Sequence, residues 1–111
     1  MSQRPPESDW KLFRQLREHA LERFCERVFQ ELHPISGDGE RTYHERYIEI
    51  FRLLKERDRE LATAFDNPAR SRMLEQLAAL RAHDLLEPDE LARFTEGTRA
   101  AVQLLVTGVA P

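Results

Sequence analysis

Tyr43, His44, Tyr47, Arg57 and Asp58 have the residue types and the spacing to build a binding site. The apolar series Tyr47, Phe51, Leu54, Leu61 and Phe65 steps by four, three, seven and four, the repeat of one helix face, and Asp58 stands where a further apolar residue falls due. Tyr43, His44 and Tyr47 lie on or beside that face about three turns earlier. Two phenols, an imidazole, a guanidinium and a carboxylate on one face would line a polar groove for a small molecule, an anion or a partner side chain. The same pattern admits a plainer role, in which Asp58 forms a buried or half-buried ion pair with Arg70 or Arg72 of the following helix.

Other chemistries lack their parts. Helical di-metal sites use Glu-x-x-His, which points both side chains inward from one face. The residues three positions before His19, His33, His44 and His83 are Leu16, Gln30, Arg41 and Leu80, none of them a carboxylate. Glu40 and His44 share a face at i and i+4, but two ligands are too few for a stable site. Neither a metal nor a cofactor is expected. Cys25, the single cysteine, falls on an apolar stripe and reads as a packing residue, not as an activated nucleophile. One cysteine also excludes an intramolecular disulfide framework and fits a reducing, cytoplasmic compartment. Gly37 and Gly39 precede a helix without Walker spacing or its lysine, which leaves only an anion at that helix N-terminus as a phosphate-type option.

The elements that must position these residues are helices. After the Pro5-Pro6 leader, Ser8 or Asp9 is the expected cap of a first helix running to about Leu32. Phe13, Leu16, Ala20, Phe24 and Val28 form one apolar stripe, and Leu21, Cys25, Phe29 and Leu32 form a second beside it. His33-Pro34 is expected to stop this helix, since the residue before proline is pushed out of the helical region. Ser36-Gly37-Asp38-Gly39 reads as a turn, and the second long helix follows. Asn67 as cap and Pro68 at the first helical position predict a third helix to about Ala82, buried through Met73, Leu74, Leu77, Ala78 and Leu80. Leu85-Leu86 is expected to tuck inward. Glu87-Pro88-Asp89-Glu90 opens a short fourth helix ending near Phe94, and Thr95 caps a fifth that carries Ala101, Val102, Leu104 and Leu105 before Gly108 and Pro111. The charges from Lys55 to Glu60 mix both signs, as a solvated helix face does.

The whole is expected to be one all-α domain over 1–111, with residues 1–7 a flexible leader. Its predicted architecture is a compact bundle of four or five helices in which the two long ones pack antiparallel. Seventeen Lys+Arg against 20 Asp+Glu give a net charge of −3, which disfavours broad nucleic-acid binding and leaves only a local strip such as Arg52, Arg59, Arg70 and Arg72. No apolar run has the length of a membrane span or of a signal peptide.

Asp9-Trp10-Lys11-Leu12-Phe13-Arg14, continued by Ala20-Leu21-Glu22-Arg23-Phe24-Cys25 and by His44-Glu45-Arg46-Tyr47, resembles a group of small bacterial proteins without established function. No Gly-Gly-Gln tripeptide of the kind release factors use on peptidyl-tRNA is present, so that activity is not carried over. Leu77 to Leu91 is similar to short helical hairpins appended to the C-termini of many bacterial proteins, with Asp84 where those hairpins usually have glycine. That resemblance implies oligomerisation or docking. With more apolar stripe than one seam requires and no assembled catalytic set, the expected function is a non-enzymatic interaction module, a homodimer or a partner of another protein. The alternative is a small-molecule or anion-binding protein that uses Tyr43, His44, Tyr47, Arg57 and Asp58.

Overall fold

A computed structural model describes residues 5–108. Among them the chain is helical with no strand: α1 (Glu7–Ser36), α2 (Tyr43–Phe65), α3 (Met73–Ala82), α4 (Pro88–Leu91) and α5 (Glu96–Thr107), with one 3₁₀ turn at Arg70–Arg72. The all-α bundle expected from the periodicity is what forms. Of the leader, residues 1–4 lie outside the described residues. Pro5 is buried, its carbonyl accepts a 2.8 Å bond from Arg70 Nε, and Glu7 already belongs to α1. Pro111 also lies outside them.

Neither Ser8 nor Asp9 caps α1, because Pro6, in extended conformation, holds the cap position. Asp9 is 2% exposed and is used elsewhere. Nor does α1 stop at Leu32: it runs through Pro34 to Ser36. A proline removes a single donor, and here it does so within the last turn, where Gly37 N–H donates to His33 O at 3.0 Å and Asp38 N–H to Ile35 O at 3.3 Å. Arg46 Nη1 reaches back across the turn to Ser36 O at 2.9 Å.

Thr42 then opens α2 with a reciprocal cap. Glu45 N–H donates to Thr42 Oγ1 at 3.1 Å, and Thr42 N–H donates to Glu45 Oε1 at 2.9 Å. The Thr42 backbone N–H, with the Thr42 side chain, holds the Glu45 carboxyl below its usual range. The register of the pair follows from three contacts: Ser36 with Arg46, Glu31 with Arg57, and Arg17 with Phe65. As the α1 number falls the α2 number rises, so the two long helices are antiparallel, as expected from the short turn.

Past Phe65 the expected helix start at Asn67-Pro68 is not used. Asn67 takes a left-handed φ of 51°, Pro68 and Ala69 stay outside any helix, and the chain makes the 3₁₀ turn before α3 begins at Met73. Arg72 Nη1 donates to the carbonyls of Asp66 and Asn67 at 3.2 and 3.1 Å, and Gln76 Nε2 donates to Asp66 O at 2.8 Å. The corner is thus closed by side chains where a helical first turn was expected.

α3 ends in a Schellman motif: Leu85 N–H donates to Leu80 O and Asp84 N–H to Arg81 O, both at 2.9 Å, while Leu80 and Leu85 are both buried. The left-handed position between them, φ 55°, is Asp84. α4 starts at Pro88 with the Glu87–Glu90 capping box, and α5 closes on Gly108 at φ 71°.

The core gathers the first stripe of α1 (Phe13, Leu16, Ala20, Phe24, Val28), Ala64 and Phe65 from the end of α2, four residues of α3, and Leu85, Leu86, Phe94 and Val102. All of it lies toward one end of the α1–α2 pair. The described molecule measures 55 × 26 × 24 Å with a radius of gyration of 17.0 Å. A globular chain of this length comes to about 13 Å. The compact part is therefore a body at one end, from which the distal halves of α1 and α2 project as an arm.

Inside the body, Asp9 joins the first helix to the last. Its Oδ1 accepts Thr95 N–H at 3.1 Å, and its Oδ2 accepts the hydroxyls of Thr95 and Thr98, each at 2.6 Å. Thr95 is the N-cap residue of α5 as expected, but the oxygen that satisfies the helix start comes from α1.

Candidate interaction surface on the helical hairpin

The five residues singled out by spacing do not meet in one pocket. All stand on α2, but Tyr43 lies about 21 Å and Tyr47 about 15 Å from Arg57 along the helix axis, at about 1.5 Å per residue. Tyr43 and Tyr47 are 84% and 68% exposed near the tip of the arm, and His44 is exposed between them. The Arg46 guanidinium lies 4.5 Å from the centre of the Tyr43 ring.

Arg57 faces α1. Its Nε and Nη2 engage both oxygens of Glu31 at 2.8 and 3.0 Å, and its Nη1 reaches Glu60 at 3.1 Å. The charge-assisted fork holds the Glu31 carboxyl below its usual range and raises the guanidinium. Asp58 is exposed, and among the described residues it forms no ion pair. The expected pairing of Asp58 with Arg70 or Arg72 does not occur, because Arg70 binds Glu7 and Pro5 O, and Arg72 binds the Asp66 and Asn67 carbonyls. In this stretch of α2 the ion pairs belong to its neighbour, Arg57.

Arg57 and Asp58 do share one feature. Together they border a shallow hollow of about 210 Å³ between α1 and α2, whose walls are Phe24, Cys25, Val28, Phe29, Leu32, Leu54 and Leu61. The floor and walls are apolar, so the surface is less a polar groove than an apolar face with charges at its edge. Cys25 is half-buried there. On the opposite side of the pair, Glu31, Arg57 and Glu60 join Arg27 and His83 around a second hollow of about 380 Å³. A third, of about 530 Å³, lies by α3, α4 and α5 among Leu77, Leu91, Phe94 and Val102, with Arg81 and Arg99 at its margin. No group of three or more His, Cys, Asp or Glu residues suited to a metal ion occurs among the described residues. No helix among them is long and apolar enough to cross a membrane.

Phe29, Phe51 and Leu54, all on the predicted apolar stripes, are 70%, 57% and 44% exposed. They continue the face marked by Tyr43 and Tyr47, so large apolar and aromatic side chains run along the arm from its tip to the hollow. A helical period identifies residues that share a face but not what covers it. The available signal was the surplus of stripe over seam. Against known proteins the chain matches no family model, no curated protein and no solved structure.

Proposed function

We propose that this chain is a protein-interaction module that works by docking, not by catalysis, and that its docking surface is the apolar face of the α1–α2 arm. One observation carries the reading: Phe29, Tyr43, Tyr47, Phe51 and Leu54, all large and all at least 44% exposed, are held on two helices that extend beyond the core. Single exposed apolar residues are ordinary, but a contiguous row rimmed by charge marks an interface. Aromatic side chains on a preformed helical scaffold give much contact area at low ordering cost, the composition found at interface centres. The half-buried, unpaired Cys25 beside this face fits a reducing, cytoplasmic setting.

A photo-crosslinking residue placed at Phe51, and in a parallel sample at exposed Arg93 on the body, tests the reading in cells that naturally make the chain. Adducts of protein mass should form from position 51, be absent from position 93, and vanish when Leu54→Glu is added. Equal labelling from both positions, or none from 51, defeats the proposal.

A further inference from the structure

We infer that the hollow framed by α3, α4 and α5 is a binding site for an apolar monocarboxylate, a molecule with a hydrocarbon body and a single ionised acid group. The site lies on the body and is independent of the arm face.

Its volume of about 530 Å³ falls within the range of about 300–1,000 Å³ usual for small-molecule sites. Leu77 comes from α3, Leu91 from α4, Phe94 from the turn after it and Val102 from α5, so hydrocarbon from three helices makes the floor. Leu77, Phe94 and Val102 are also core residues, and the packing that closes the core therefore fixes the shape of the hollow. Sites of this kind add a few polar groups that orient the ligand. Here they are Arg81, Glu96, Arg99 and Gln103, because the Thr98 hydroxyl is already held by Asp9.

The charges select the ligand. Arg81 is half-buried, and among the described residues its guanidinium has neither a hydrogen bond nor an ion pair. Arg99 Nε donates to Phe94 O at 3.1 Å, and its two terminal nitrogens have no partner among them. Glu96, about one turn before Arg99 on α5, sets one negative charge against these two positive ones. The lining is one carboxylate short of neutrality. Neighbouring acids do not fill the deficit. α4 turns Pro88, Leu91 and Ala92 to the hollow, while Glu90 pairs with Arg23 of α1, and Glu87 and Asp89 lie within electrostatic reach of that same guanidinium. Asp84 lies past the end of α3, where its carbonyl is held by Arg27, and Arg93 is exposed outside the lining. A single carboxylate accepting from Arg81 and Arg99, with its hydrocarbon over Leu77, Leu91, Phe94 and Val102, satisfies the unpartnered guanidinium and covers the floor together. A cation would be repelled there, and a neutral molecule would leave Arg81 desolvated and unpaired.

Calorimetry on the full chain at neutral pH tests the inference with decanoate, kept below the concentration at which it forms micelles, beside decanol and decylamine, which keep the hydrocarbon and change the head group. Decanoate should bind one to one and raise Tm. Decanol should bind about tenfold more weakly or worse, and decylamine more weakly still. Arg81→Gln should reduce decanoate to the level of decanol, and Arg81→Lys, which keeps the charge, should recover part of the loss. Neither variant should move the urea midpoint without ligand, since Arg81 has no side-chain partner to lose. Leu54→Glu on the arm should leave binding unchanged. Phenylpropanoate run alongside separates a compact aromatic acid from an aliphatic one, and tighter binding of either supports the site. Equal binding of decanoate and decanol, full retention in Arg81→Gln, loss in Leu54→Glu, or no binding of either acid overturns the inference. None of these outcomes bears on the crosslinking test of the arm, so the two readings stand or fall separately.

Discussion

Phe24 and Phe29 stand five residues apart on α1, yet one is 7% exposed and the other 70%. The difference separates the two regions of the molecule. Phe24 meets the Phe65 ring edge-on at 6.0 Å, below α3 and within the body, whereas Phe29 lies where α1 has only α2 beside it. A single antiparallel pair has two open faces and can bury one seam. The body adds α3, α4 and α5 over one face of that pair, and the arm adds nothing. The same kind of helical stripe is thus core at one end and surface at the other, and polar contacts follow the same division. Asp9 and Thr98 are joined inside the body with Thr95 at its surface, while the Glu31–Arg57 fork of the arm is open to solvent along much of its length.

The largest test of that contrast exchanges one phenylalanine at each end for alanine. Phe13→Ala, at 0% exposure, should cost about 3–5 kcal/mol, a large fraction of the total for a domain of this size. Phe51→Ala should stay within about 0.5 kcal/mol in urea unfolding at concentrations low enough that association contributes nothing. Comparable losses would mean that the arm is covered even in the isolated chain. Next in size is Asp9→Ala, which strands the buried Thr98 hydroxyl and removes two bonds to Thr95, and should cost about 1–3 kcal/mol by the same measurement. Glu31→Ala in the exposed fork should cost less than about 1 kcal/mol.

A third difference concerns acid. Arg23 Nη1 and Nη2 hold Glu90 at 2.6 and 3.1 Å, and that bond, helped by Glu87 N–H, keeps the Glu90 carboxyl below its usual range. The folded state therefore binds this proton less readily than the unfolded chain. Its stabilisation is full above the ordinary glutamate value of 4.5 and is lost as pH falls through that value toward the depressed one. Glu90→Gln should cost about 1–2 kcal/mol at neutral pH and flatten the urea midpoint between about pH 5 and 3. Glu31→Gln should change that slope less, since its pair is the more exposed. The smallest effect is a gain. Asp84→Gly relieves a left-handed residue at the end of α3 and should add about 0.5 kcal/mol, read as a rise of a few degrees in Tm.

Much of the helical layout was legible because caps, prolines and periods are local. The turn over 37–42, the inward Leu85-Leu86 pair and the Pro88 helix start all follow from neighbouring residues. The exceptions were decided from a distance. Asp9 looks like a cap for its own helix, and only the arrival of Thr95 and Thr98 redirects it. Asn67-Pro68 has the form of a helix start, but Arg72 and Gln76 draw the Asp66 and Asn67 carbonyls into another corner. The site residues were placed on the correct helix, while the spread of Tyr43 and Tyr47 from Arg57 was already contained in their spacing. Which apolar stripe remains open depends on where α3 to α5 lie, and no local pattern encodes that.

The Asp9–Thr98 bond spans 89 positions of the chain. During synthesis, at about 5–20 residues per second, roughly 4–18 s separate the appearance of the carboxylate from that of the second hydroxyl it needs. Over that interval α1 and α2 can pair while the face that α3 to α5 will cover is still bare, and the nascent hairpin shows apolar surface on both sides. The contact at Asp9 forms only when α5 emerges, so the body closes only after Thr98 has been made. A ribosome that stalls before Thr95 leaves a hairpin with two exposed apolar faces in place of one.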